Sequence, residues 1–209
     1  MKLSFSNTRL SLILLSIVIL SASFSLVVFN RTQAQENSIS VIHLDKDSLA
    51  GGAFGDFEVS EPENGNLPVR DHSYYGTKDE KFYVGVWEAK VGTTNILGLT
   101  YDESFYVLEG SIELQEQNGE SQTYSVGEAV VIHQGWNGKF IVPEGGVRKL
   151  YTVYMNESEA TGKKPLSLGK EKLSGSTLGE YAPYEPETGD LVARGNEYFY
   201  SQDGNFGLG

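Results

Sequence analysis

The side chains best placed by type and spacing to do chemistry lie between Trp87 and Lys149. Glu103 interrupts an otherwise apolar and aromatic stretch, Tyr101-Asp102-Glu103-Ser104-Phe105-Tyr106-Val107-Leu108. A buried carboxylate without a cation is costly unless donors meet it. Glu103 is therefore anchored by Tyr101 or a neighbouring Tyr, or protonated as a general acid, unless it is a strand-edge residue in water. His133 is the histidine nearest to this region, and it could serve a ligand or simply be a satisfied structural imidazole. Arg148 and Lys149 are an adjacent basic pair that could bind a carboxylate ligand or balance Glu103. Trp87, Trp136, Phe105 and Tyr106 could line an apolar pocket, or be ordinary core. No Ser-His-Asp set can be assembled, and no Gly-rich phosphate loop is present.

These residues need strands to hold them. Phe105-Tyr106-Val107-Leu108 and Ala129-Val130-Val131-Ile132 are short apolar runs stopped by Gly, as buried strands are. Ser111-Ile112-Glu113-Leu114-Gln115 alternates with period two, and Asn118-Gly119 supplies a tight hairpin turn. Phe82 to Ala89 reads as a strand with Gly85 in its middle, which marks a bulge or a close backbone approach. Strands are further expected at 95–100, 103–109, 111–116, 121–125, 128–133, 137–142 and 147–155. Eight strands at this spacing fit a small double-sheet jelly roll. Residues 41–70 are rich in Gly, Asp, Glu and Pro and read as an irregular arm with one or two short strands.

Two of these segments together resemble the motifs of the cupin superfamily. They are Tyr106-Val107-Leu108-Glu109-Gly110 and, about twenty residues on, Gly127-Glu128-Ala129-Val130-Val131-Ile132 with Gly135-Trp136. Gly85-Val86-Trp87-Glu88 and Val147-Arg148-Lys149-Leu150-Tyr151 extend the likeness over roughly residues 72 to 155, and the group it is most similar to contains ureidoglycine aminohydrolase. The resemblance implies a double-stranded β-helix. It also implies a divalent metal held by two His, a Glu and a third His. Matched by position, Glu103 falls on the Glu. The paired histidines fall on Leu97 and Leu99, or on Ile96 and Gly98, and the third falls on Gly138, with His133 at a position usually held by Pro. One ligand of four remains, so no cofactor is expected, with a divalent metal at Glu103, the only matching ligand position, as the alternative.

The composition narrows the setting. Lys2 and Arg9 precede an apolar run from Leu10 to Phe29, and Thr32-Gln33-Ala34 offers small residues for cleavage. Residues 1–34 read as a secretory signal or, given the length of the run, an inner-membrane anchor, placing the folded part in the periplasm or outside the cell. Beyond residue 34 there are 13 basic and 28 acidic side chains, a net charge of −15, which excludes nucleic acid as a natural partner. There is no cysteine, so no disulfide or thiolate ligand is available.

Residues 156–164 read as a polar linker. Sliding the chain by 124 residues then lays 41–85 over 165–209 with fifteen identities in 45 pairs, among them Leu44/Leu168, Tyr74/Tyr198, Phe82/Phe206 and Gly85/Gly209. Ordinary composition would give roughly three or four. This is the signature of an internal repeat. The expected architecture is all-β: a cupin domain at 41–155, followed at 165–209 by an incomplete second cupin repeat, a double cupin cut short. Such a fragment must pack on the first domain, pair with another chain, or stay mobile. The expected function is binding of a small polar metabolite by an exported cupin, as a homodimer, with Glu103 the catalytic candidate if there is one. The pocket would be formed by Tyr101, Phe105, His133, Trp136, Trp87 and Arg148. Hydrolysis of a ureido-type compound and a structural, oligomerising role are the alternatives.

Overall fold

A computed structural model describes residues 41–59, 62–183 and 189–209. The signal or anchor expected at residues 1–34 lies outside the described residues, and among those described no helix is long and apolar enough to cross a membrane.

The strands are β1 (Glu58–Val59), β2 (Pro68–Gly76), β3 (Phe82–Ala89), β4 (Gly92–Ile96), β5 (Asp102–Glu116), β6 (Ser121–Ser125), β7 (Ala129–Ile132), β8 (Gly138–Val142), β9 (Val147–Tyr154) and β10 (Leu166–Leu168). Four two-residue strands follow: β11 (Ala182–Pro183), β12 (Val192–Ala193), β13 (Phe199–Tyr200) and β14 (Gly207–Leu208). The short α-helix α1 (Lys46–Leu49) is capped by the Asp45 carboxylate, which accepts from the Ser48 amide at 2.8 Å.

β5 is the spine. Its first half pairs with β9 on one side and β7 on the other, and its second half pairs with β8 and β6. The strand passes from one sheet to the other through a register shift between Val107 and Glu109 and through Gly110 at φ +69°. The sequence suggests two strands here, 103–109 and 111–116, because Gly110 punctuates them; the glycine instead bends one continuous strand. The main sheet runs β1-β2-β3-β9-β5-β7-β10 and the second is β4-β8-β5-β6. This all-β curled antiparallel sandwich is the expected jelly roll.

Val107, Ile112, Leu114, Val130, Ile132, Trp136 and Phe140 fill the space between the sheets. The region read as an irregular arm, 41–70, runs into β2, a nine-residue strand whose mixed polar sequence hides its pairing with β3. Gly85 on β3 permits a close approach, since a Cβ there would stand 2.5 Å from both the His72 carbonyl oxygen and the Tyr151 hydroxyl. Residues 156–164 are not a free tether. The amides of Thr161 and Gly162 donate to the Gln134 carbonyl, and Asn156 is buried.

Gly110 and Gly119 separate two costs of a side chain. Both have positive φ, but a Cβ on Gly110 would lie 2.0 Å from the Gly146 carbonyl oxygen, whereas Gly119 has open space. Gly119→Ala is expected to cost about 1 kcal/mol, the backbone penalty alone, and Gly110→Ala at least about 2 kcal/mol more, read from urea midpoints. Equal losses would show that the bend tolerates a side chain.

Candidate functional site

β9 has the plainest alternation in the chain. Val147, Lys149, Tyr151 and Val153 face inward, and Arg148, Leu150 and Thr152 are half-buried on the other face. Period two therefore carries a lysine and a tyrosine into the barrel. Register sets their neighbours, because Lys149 lies opposite Trp87 and Val107, and Tyr151 opposite Gly85 and Phe105.

The central contact is an ion pair. Lys149 Nζ donates to Glu103 Oε1 at 2.6 Å, and only 3% of Lys149 and 5% of Glu103 are exposed. The ammonium nitrogen also lies 4.3 Å from the centroid of the Phe105 ring, 4.5 Å from that of Trp87 and 5.2 Å from that of Phe140. Three ring faces thus supply negative potential around the cation where water cannot. In a medium of low polarity a charge pair is retained only with close geometry of this kind.

Beside the pair are Tyr151 and Asp71. The Tyr151 phenol favours the ionised form of the Asp71 carboxyl. Burial, with the negative charges of Asp71 and Glu103, holds the phenol well above its usual range, so it remains a donor. Burial raises Asp71 to about 6 against the opposing effect of the Tyr151 hydrogen bond. Tyr101 packs against the same core.

The residues expected to form one site divide into four places. Glu103, Phe105 and Trp87 meet in the barrel around Lys149, and Tyr101 packs against the same core. Trp136 is buried one layer behind, stacked on Phe140 with ring centroids 5.8 Å apart, and its Nε1 has no hydrogen-bond partner among the described residues. Arg148 ends on the opposite face of β9, where it bonds Glu88 at 2.8 Å and Glu109 at 2.7 Å, in a cross-strand row with Arg70. His133 makes no pair with Glu103. Its ring meets Phe199 edge-on at 5.2 Å, and burial lowers its pKa. Asp71 and Tyr151 are additions that the sequence reading did not single out. The alternation of 147–153 signals Tyr151, whereas nothing in the mixed polar run of β2 signals Asp71.

These residues do not fit a metal. The Glu103 carboxylate is engaged by an ammonium group, Leu97 is 72% exposed, and Leu99 is part of the core. At Gly138, where a third ligand would fall, a Cβ would stand 2.2 Å from the Trp136 ring, so no imidazole can be placed there without moving the indole. Among the described residues no group of three His, Cys, Asp or Glu side chains could hold an ion.

Residues 76–151 match the EutQ-like cupin domain family. The chain thus carries a cupin domain related to the EutQ-like cupins. Among solved structures, the EutQ protein of Clostridium difficile is 27% identical over 48% of this chain and 82% of its own, with a TM-score of 0.39. A putative ethanolamine utilization protein Q from Salmonella typhimurium is 26% identical over 49% of this chain and 78% of its own, with a TM-score of 0.39. A Pseudomonas syringae protein of unknown function is 23% identical over 48% of this chain and 43% of its own, with a TM-score of 0.43. No curated protein matches the chain significantly.

Removing one member of the ion pair should cost more than removing both. Lys149→Met strands a buried carboxylate and is expected to destabilise by about 3–5 kcal/mol. Adding Glu103→Gln should recover at least about half of that, since no uncompensated charge then remains. Chemical denaturation of the two variants measures the difference, and a double variant no more stable than the single one would mean that Lys149 contributes by packing alone.

The Asp71 carboxyl gives a pH signature. Its folded pKa, about 6, is above the ordinary value of 3.8, so between these values the folded protein binds more protons than the unfolded one. The group therefore stabilises the fold as pH falls from 6 to 4 and opposes it above 6. Asp71→Asn is expected to raise stability by about 1–2 kcal/mol at pH 7.5, with the gain gone near pH 4. A difference independent of pH would refute the assigned cause.

Proposed function

We propose that this protein is an exported, metal-independent cupin that binds a small polar metabolite at the Asp71–Tyr151–Lys149–Glu103 end of its barrel. The observation that carries this reading is the Lys149 ammonium against Glu103 inside three aromatic rings. It supplies a fixed internal cation at the carboxylate that the cupin resemblance assigns to a metal. Asp71 and Tyr151 add an ionisable acceptor and a fixed donor, the mixture that orients a ligand carrying hydroxyl, amide or carboxylate groups. Export follows from the apolar run at residues 10–29, and the net charge of −15 beyond residue 34 keeps nucleic acid out of consideration.

One observation favours a second reading, hydrolysis of a ureido-type compound. Asp71, with a pKa of about 6, can exchange a proton near neutral pH. Ammonia release from a ureido acid, lost in Asp71→Asn, would favour catalysis over binding alone.

Thermal melting of the chain from residue 35 with a panel of hydroxy acids, ureido acids and sugar acids tests the first reading. At least one compound is expected to raise the Tm by several degrees at millimolar concentration, with the shift lost in both Asp71→Asn and Tyr151→Phe. No response to any compound, or a response that survives both substitutions, rules the reading out.

A further inference from the structure

The segment from 165 to 209 covers the outer face of β7. β10 pairs with it in antiparallel register, Leu166 opposite Val131 and Leu168 opposite Ala129. Leu168 and Phe199 then bury Ala129 and Val131, with Leu166, Tyr198, Phe206 and Leu208 around them.

The internal geometry of this segment reproduces that of residues 41–85 at the 124-residue offset. β1 and β2 pair Glu58 with Val69 and Val59 with Pro68, and β11 and β12 pair Ala182 with Ala193 and Pro183 with Val192. β2 and β3 pair Tyr75 with Val84 and Gly76 with Tyr83, and β13 and β14 pair Phe199 with Leu208 and Tyr200 with Gly207. Tyr74 Oη donates to the Ser48 carbonyl at 3.0 Å, as Tyr198 Oη does to that of Lys172. The two copies meet at Phe82 and Phe206, whose ring centroids are 5.7 Å apart. A residue that touches its own counterpart lies at a local two-fold axis.

A two-fold contact has two equal halves, and only one of them is filled. The counterparts of Leu166, Leu168, Tyr198, Phe199 and Leu208 are Ile42, Leu44, Tyr74, Tyr75 and Val84. These five line an open cleft of about 310 Å³. Ile42 is 47% and Tyr75 41% exposed, and Val41–Asp45 forms no strand, whereas its counterpart is β10.

We propose that this cleft is the docking site for a second cupin barrel, specifically for the outer face of an edge strand of the β7 type, with small and β-branched residues where β7 has Ala129 and Val131. Ile42–Leu44 adds to that strand as β10 adds to β7, and Tyr75 covers its apolar pair as Phe199 does. A copy of this chain in its present arrangement cannot be the occupant, because each chain has two covering arms and one β7, and that β7 is already covered. The partner must bring a β7-type strand that is bare. The inference does not depend on the ligand-binding reading above, since it concerns the outside of the barrel.

Baring β7 tests this on the full chain. Leu168→Asp with Phe199→Asp removes the covering side chains, so each chain then has one free cleft and one free β7, and two chains can satisfy each other. Sedimentation equilibrium is expected to give twice the wild-type mass, returning to the wild-type mass when Tyr75→Asp is added. A folded double variant with unchanged mass overturns the proposal, and so does a doubled mass that survives Tyr75→Asp. If the double variant does not fold, a peptide of residues 127–134 titrated into the wild-type chain decides. Saturable binding that is lost in Tyr75→Asp supports the site, and no binding, or binding equal to that of a scrambled peptide, overturns it.

Discussion

The barrel interior is organised by one requirement, that the Glu103 carboxylate must not be left without a cation. Glu103 and Lys149 are almost fully buried, and each alone would carry a desolvation cost that marginal stability could not absorb. The antiparallel register of β5 and β9 brings the two strands side by side, and the β3–β9 register adds Trp87 opposite Lys149. Phe105 and Phe140 complete the enclosure of the ammonium group. Gly85 then gives the Tyr151 ring room over β3, the strand that separates it from Asp71 on β2. Displacement of any of these elements would expose or strand a charge. The polar interior thus fixes register, whereas the apolar layer of Val107, Ile112, Leu114 and Trp136 supplies most of the driving force.

That arrangement separates this chain from the metal-binding pattern suggested by its motifs. A carboxylate at the Glu103 position of a metal-binding cupin would meet a divalent ion fixed by histidines. Here it meets a univalent cation attached to the neighbouring strand, and the remaining ligand positions hold Leu97, Leu99 and Gly138. Lysine can replace the charge but not the open coordination sites. What remains is a fixed dipole with hydrogen-bonding neighbours, an arrangement suited to orienting a ligand.

Much of the fold was legible because its signals are local. Gly-stopped apolar runs, the Asn118-Gly119 turn and the alternation after Val147 each specify a strand without distant information. β2 was not legible, since Pro68-Val69-Arg70-Asp71-His72-Ser73-Tyr74-Tyr75-Gly76 becomes a strand only through pairing with β3. The site was legible in part. Glu103 and Phe105 share a strand face, which period two can reveal, whereas Trp87 joins them through its register with Lys149. His133 and Arg148 were grouped with them by proximity in sequence, but each belongs to the other side of its strand or turn, His133 against Phe199 and Arg148 against Glu88. Asp71 depends on β2, a strand that only its partner reveals. The offset of 124 residues was visible as identities, yet the hydrogen bonds and ring contacts that it preserves required coordinates.

The central claim is that an internal lysine, rather than a metal ion, balances Glu103. Calorimetric titration of Mn(II), Ni(II) and Zn(II) into the metal-stripped chain, with Glu103→Gln in parallel, tests it most directly. The account predicts no stoichiometric binding that depends on Glu103. Binding of one ion per chain that disappears in Glu103→Gln would contradict it, because the carboxylate would then have to leave Lys149 for the metal.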